Sequence, residues 1–259
     1  MNRLSILITA LWILISFPSQ AQFRDAEPLA GTIATHNFIT RELVYPEAEL
    51  TAKQSGSVTV TFLLDENGNG SAYQIKDSFC ESANNNAIDI VKKILWSPAL
   101  LDSKPVATEM EYTIDYSPKA YRRYWKNRQH VDLPLPLEAD TSYSVYTTRQ
   151  LEETAKPYFA DGSNMAQYIF SNMKYPEAAK AAEVQGTTRL EFIVEVNGSV
   201  SNIHVINSVG GGCDNEAIRL LEETHWIPAV KNGIYVRSKN QQDITFSIGN
   251  RNYMDGNAY

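Results

Sequence analysis

Residues 45 to 116 can be laid over residues 175 to 246 at a constant offset of 130, with no gap. Roughly a quarter of the superposed positions are identical. Tyr45-Pro46-Glu47-Ala48 meets Tyr175-Pro176-Glu177-Ala178, Gly56 meets Gly186, Phe62 meets Phe192, and Asn67-Gly68 meets Asn197-Gly198. Further on, Ala87-Ile88 meets Ala217-Ile218, Trp96 meets Trp226, and Pro98-Ala99 meets Pro228-Ala229. The chain is a duplication, so any fold proposed for one unit must suit both.

Each unit has a physical reading. Proline is preorganised for the first helical position, and "PEAAKAAE" consists of good helix formers, so a short helix is expected from Pro176 until Gly186 ends it. Leu190, Phe192 and Val194 alternate with polar residues, as do Val58, Val60, Phe62 and Leu64, which predicts a strand in each unit. Asn-Gly then predicts a hairpin and a second strand. "CDNEAIRLLEETHW" and "NNNAIDIVKKILW" carry helical spacing, and a last strand is expected at "SKNQQDITFSI" and "ATEMEYTIDY". Trp96 and Trp226 read as core plugs between helix and sheet. The fold class is therefore α+β: two tandem domains, residues 36–116 and 165–248, each a small three-stranded, mainly antiparallel sheet covered by a helix. Residues 117–164 read as a linker, ordered or half-ordered, long enough to let the domains move independently.

The N-terminus is of another kind. One positive charge precedes the apolar run Leu4 to Phe17, and small residues at Ser19 and Ala21 follow, the pattern of a secretory signal peptide cleaved after Ala21. The run is about 14 residues, against roughly 20 needed to span a bilayer. Retained, it would be an anchor instead. A net charge of −7 argues against a phosphate-neutralising nucleic-acid surface. Only "YRRYWKNR", residues 121–128, is locally basic, and it reads as a solvated helix with aromatic anchors on a neighbouring domain. Cys80 and Cys213 occupy non-equivalent positions in the two units and read as two buried thiols.

No constellation of residues calls for a cofactor, a metal or catalysis. His36, His130, His204 and His225 lack metal-ligand spacing. "GGGCDNEA" lacks the lysine and hydroxyl of a phosphate loop and reads as a tight turn, while a nucleophilic Cys213 is the one enzymatic alternative. "DENGNGSAYQIK" begins like a calcium loop, but Lys76 stands where a bidentate glutamate is required, so a hairpin turn explains it. A small sheet does offer free edges to which another chain can add a strand. About six backbone hydrogen bonds at a net ~1 kcal/mol each, set against the cost of association, give micromolar affinity.

These residues resemble the C-terminal domain of TonB, especially in TonB-family proteins of the Bacteroidetes type. The second copy carries "YI" before "YPEAA", the glycine before the first strand, the Asn-Gly hairpin, "GGGCDNEAI" and "WIPA"; the first has "FI", "YPEA", "NG" and "WSPA" but "FCESANNN" for the glycine-rich turn. The resemblance implies a periplasmic, non-enzymatic protein that pairs an extended segment of an envelope protein, such as an outer-membrane receptor, against a sheet edge. It places Tyr45, Pro46, Tyr175 and Pro176, with Gln241, Asp243 and Thr245 of the last strand, beside that segment. No small-molecule substrate or nucleic-acid partner is implied. A retained N-terminal segment would instead imply an anchored energy transducer, although the long proline-rich span of such transducers has no counterpart here.

Overall fold

A computed structural model describes residues 22–127 and 133–248. The first copy runs α1 (Gly31–Glu42), α2 (Glu47–Thr51), β1 (Gly56–Leu64), β2 (Gly70–Asp77), α3 (Glu81–Lys93) and β3 (Thr108–Tyr116). A helix α4 (Pro118–Asn127) and a short strand β4 (Val145–Tyr146) follow in the connector. The second copy runs α5 (Met165–Asn172), α6 (Glu177–Ala181), β5 (Gly186–Val194), β6 (Val200–Asn207), α7 (Cys213–Glu222), β7 (Ala229–Lys231) and β8 (Ile234–Phe246). The sheet orders are β2-β1-β3 and β6-β5-β8-β7, with β4 added beside β8. The second sheet thus has five strands, the expected three plus two short ones.

Duplication extends to the backbone irregularities. Gly56 pairs with Tyr116 and Gly186 with Phe246, the same register shifted by 130. Bulges fall after Thr59 and Thr61 in one hairpin and after Arg189 and Glu191 in the other. Left-handed residues recur at Ala72 and Asn202 (φ 53° and 50°). Val58, Val60, Phe62 and Leu64 face the helical layer of the first copy, and Leu190, Phe192 and Val194 that of the second. The opposite face is solvated and held by cross-strand pairs such as Lys76–Glu111 and Arg189–Asp243.

The helix after each Tyr-Pro is shorter than the sequence suggests. Pro46 and Pro176 sit at the N-cap with ψ 133° and 136°, not inside the helix. The helix stops at Ala182, where Glu183 turns left-handed (φ 52°), the Val184 N–H bonds to the Ala179 carbonyl (2.9 Å) and the Glu183 N–H to that of Lys180 (3.2 Å). This is a Schellman turn that ends the helix before glycine is reached, and Lys53 makes the same turn in the first copy. Gly186 instead opens β5. The tyrosine clasps the turn: Tyr175 Oη donates to the Val184 carbonyl and Tyr45 Oη to that of Gln54.

Trp96 and Trp226 are buried against Phe62 and Phe192, ring centroids 5.2 Å apart in both pairs. Each Asn-Gly hairpin docks on the tryptophan backbone. Gly68 and Gly198 have φ +83° and +78°, and a Cβ on either would come within 2.2 or 2.3 Å of the tryptophan carbonyl oxygen. β8 begins before the expected Ser238 because Asn232-Gly233 (φ 51° and 74°) forms another hairpin, with β7.

The copies are not independent bodies on a loose tether. α1 lies on β6 of the second copy, where Arg41 donates to the Val200 carbonyl (2.6 Å) and Asn37 to the Glu222 carboxylate (2.9 and 3.1 Å). Asn202 joins the end of α3, accepting from the Leu95 N–H (2.7 Å) and donating to the Lys93 carbonyl (3.0 Å). The connector pairs β4 in parallel with Arg237 and Ser238, and Lys156–Tyr158 with His225–Ile227. Polar bonding across the junction, not linker length, sets the arrangement. Both cysteines are free; Cys213 is buried, but Cys80 is only half-buried at the start of α3.

Candidate functional site

The outer edge of β6 is covered by the first copy over Val200–Ile203, all buried. On the side of β8 away from β5, Tyr235 bonds to the connector, donating to the Glu138 carbonyl (2.8 Å) and accepting from the Asp140 N–H (2.7 Å), and β4 pairs with residues 237–238. From Lys239 to Phe246 no strand among the described residues takes that side, so its backbone groups are open to another chain, apart from the Asp243 carbonyl, which accepts from Gln242 Nε2 (2.8 Å).

α5 runs beside this open edge. Asn164 caps it, accepting from the Gln167 N–H while the Gln167 side chain accepts from the Asn164 N–H, both at 3.0 Å. Tyr168 fixes its inner side by donating to the Leu220 carbonyl (3.2 Å), and burial pushes its pKa up to about 12, so it stays a donor. Met165, Ile169, Phe170 and Met173 then form one wall of a groove of about 450 Å³. Gln242, Asp243 and Thr245 form the other. Since Gln242 and Asp243 lie on opposite faces of the strand, the groove follows its edge. Phe170 is 52% exposed. In the first copy the four wall positions are Thr35, Ile39, Thr40 and Leu43, two of them hydroxyl residues.

Of the residues expected beside a bound segment, Tyr175, Asp243 and Thr245 meet at this groove. Gln241 is exposed on the solvent face, donating to Glu191 at 3.3 Å. Tyr45 and Pro46 are buried in the first copy, and Pro176 is a half-buried helix cap. Asp243 pairs bidentately with Arg189 (2.6 and 2.7 Å), which holds its carboxyl below the usual range. The α5 wall was absent from the sequence expectation, although the Asn-x-x-Gln capping box and apolar residues at 165, 169 and 173 mark such a helix.

The other candidate chemistries resolve into structure. Cys213 is fully buried, and burial followed by the Asp214 charge pushes its thiol pKa up, the reverse of an activated nucleophile. Burial alone would raise Asp214, but donation from Ser208, Val209, Thr188 and Gly210 outweighs it and holds the carboxyl low. The glycine-rich turn thus spends its donors on its own aspartate. Asp65 accepts from the N–H groups of Asn67 and Asn69 (both 2.8 Å), making the calcium-like stretch a hairpin turn. Among the described residues no three His, Cys, Asp or Glu side chains gather as a metal site.

Residues 41–118 and 171–248 match the family model of the Gram-negative bacterial TonB protein C-terminal region, together more than half of the chain. The chain belongs to the TonB C-terminal family. A search of the curated proteins finds no match. TonB-family domains act in the cell envelope in outer-membrane transport, where they interact with receptor proteins, and family members are transducers, not enzymes. No helix among the described residues is long and apolar enough to cross a membrane. The expected signal peptide, Met1 to Ala21, lies outside them.

Proposed function

We propose that this TonB-family protein is a periplasmic, non-enzymatic binding protein whose second copy takes an extended segment of an envelope protein as an added strand on β8. The reading is carried by the coincidence of an open strand edge, Lys239–Phe246, with an apolar groove along it. Main-chain bonds to β8 supply sequence-tolerant affinity, and the methionine-lined wall accepts large apolar side chains at alternate positions. Outer-membrane receptors are the partners this reading favours. The first copy acts as a brace on β6.

Fluorescence anisotropy with labelled extended peptides from outer-membrane receptors tests it. Micromolar binding is expected, weakened at least roughly tenfold by Phe170→Asp. Because Phe170 is exposed, the melting temperature should hold. Absent binding, or full binding by the variant, refutes the reading. The mature N-terminus tests location: a soluble chain starting at Gln22 fits a diffusible binder, whereas an intact Met1 in washed inner membranes makes the anchored transducer the better account.

A further inference from the structure

The basic segment after the first copy plays no part in the edge site. In α4, Tyr121, Tyr124 and Trp125 gather on one side of the helix and Lys119, Arg122, Arg123 and Lys126 on the other. Tyr121 packs on Tyr45, ring centroids 5.4 Å apart, which turns the aromatic side toward the first copy. Where the cationic side begins, α4 meets the turn after α2 and leaves a pocket of about 450 Å³. Its polar lining is Lys53, Ser55, Ser117, Lys119 and Arg122. Arg122 donates to the Leu50 carbonyl (2.6 Å). Among the described residues no carboxylate pairs with Lys53, Lys119 or Arg122. In a chain of net charge −7, three cations gather around one hollow without an ion-pair partner among the described residues, although the Glu49 carboxylate lies close enough to act on Tyr45 together with Arg122.

The duplication supplies an internal comparison. The second copy makes the same turn with Glu183 where the first has Lys53, and with Gln185 where the first has Ser55. There Gln185 Oε1 accepts from the Ile248 N–H (3.0 Å) and Ser247 Oγ (3.4 Å), so the turn satisfies the chain after the last strand by itself. In the first copy the long acceptor has become a short serine, the acid a lysine, and α4 brings two more cations. The differences between the copies open a space and charge it positively.

We propose that this pocket binds a phosphate group. Two ammonium groups, a guanidinium and two hydroxyls offer donors from several directions, and no carboxylate lines the hollow. That arrangement suits the three or four acceptor oxygens of a tetrahedral oxyanion better than the two of a planar carboxylate. The phosphate is either that of a soluble phosphorylated compound or a phospholipid headgroup. Arg123 and Lys126 extend the cationic side of α4 beyond the pocket.

The test uses the full chain, calorimetric titration with inorganic phosphate at constant ionic strength, and co-sedimentation with phosphatidylglycerol or phosphatidylcholine vesicles. Lys53→Glu/Ser55→Gln gives the turn the residues its own second copy carries, so the fold should be retained and is checked by an unchanged melting temperature. Lys104→Glu makes the same charge change elsewhere on the first copy, on an exposed strand. Wild type should bind at least one phosphate probe, and the double variant at least roughly tenfold more weakly, with Lys104→Glu unchanged. Binding of free phosphate assigns a soluble ligand; binding only to phosphatidylglycerol vesicles assigns a headgroup. Wild type that binds neither probe, a double variant that binds as well, or an equal loss from Lys104→Glu overturns the proposal.

Discussion

Arg237→Met should be among the most damaging single changes outside the hydrophobic core. Arg237 and Glu195 are 3% and 1% exposed. The guanidinium makes two bonds to that carboxylate (2.8 and 2.9 Å), one to the Tyr143 carbonyl (2.8 Å) and one to the Lys93 carbonyl (2.9 Å). It therefore ties β8 to the β5–β6 hairpin, the connector and α3 of the first copy. Methionine fills much of the volume but leaves a buried carboxylate with only Ser201 Oγ for a partner. Breaking a buried pair from one side costs about 3–5 kcal/mol. A second change, Glu195→Leu, removes the stranded charge; what remains is the loss of the Arg237 donors to the Tyr143 and Lys93 carbonyls, the latter still bonded to Asn202, and of the acceptor for the Ser201 hydroxyl, about 1–3 kcal/mol in all. The double variant should thus be more stable than Arg237→Met alone. Urea denaturation followed by circular dichroism reads both numbers. Arg189→Met is the control, since its pair with Asp243 has equally short bonds but is 51% and 44% exposed, and should cost under about 1 kcal/mol. An Arg237→Met cost below about 1 kcal/mol, or a double variant no better than the single, would refute the reasoning.

Thr224→Val should cost about 1–3 kcal/mol in chemical denaturation, because Trp226 Nε1 is buried and donates to Thr224 Oγ1 at 2.9 Å. The first copy has Ile94 at that place and its Trp96 Nε1 has no partner among the described residues, so Ile94→Val should cost only about 1 kcal/mol, as packing alone. Gly198→Ala should destabilise by at least ~2 kcal/mol, combining a left-handed alanine with a Cβ 2.3 Å from the Trp226 carbonyl oxygen; an unchanged denaturation midpoint would contradict the docked hairpin. The carboxyl of Asp214 is held below its unfolded value, so its contribution is present above that value, about pH 4, and is lost as pH falls through the folded one. Melting curves of wild type and Asp214→Asn should therefore converge on acidification, and a constant gap would show that the aspartate does not titrate with folding.

The parts of the fold legible in the sequence are those that local chemistry dictates twice. Val58 to Leu64 and Leu190 to Val194 alternate because one face of each sheet is solvated, and Asn67-Gly68 and Asn197-Gly198 supply the positive φ of a hairpin. Where the reading fell short, the deciding interaction was non-local or broke the usual residue preference. Glycine was expected to end α6, yet Glu183 takes the left-handed conformation because the Tyr175 clasp holds the turn. The junction of the copies could not be read from the repeat, since Arg41, Asn202 and Arg237 have Ser171, Ala72 and Ala107 as their counterparts. The groove shares that character: Met165 and Phe170 stand opposite Thr35 and Thr40. Identities between the copies encode the domain, and differences encode what the pair does with it. A three-stranded sheet exposes two edges, and in the second copy α1 of the first covers the β6 side over Val200–Ile203. On the other side, the connector and β4 close β8 only as far as Ser238. The open stretch of β8 is the one α5 lines with apolar side chains; β2 and β3 of the first sheet are also unpaired on their outer sides among the described residues, but Thr35 and Thr40 stand there in place of Met165 and Phe170, so the two copies do not present equivalent sites.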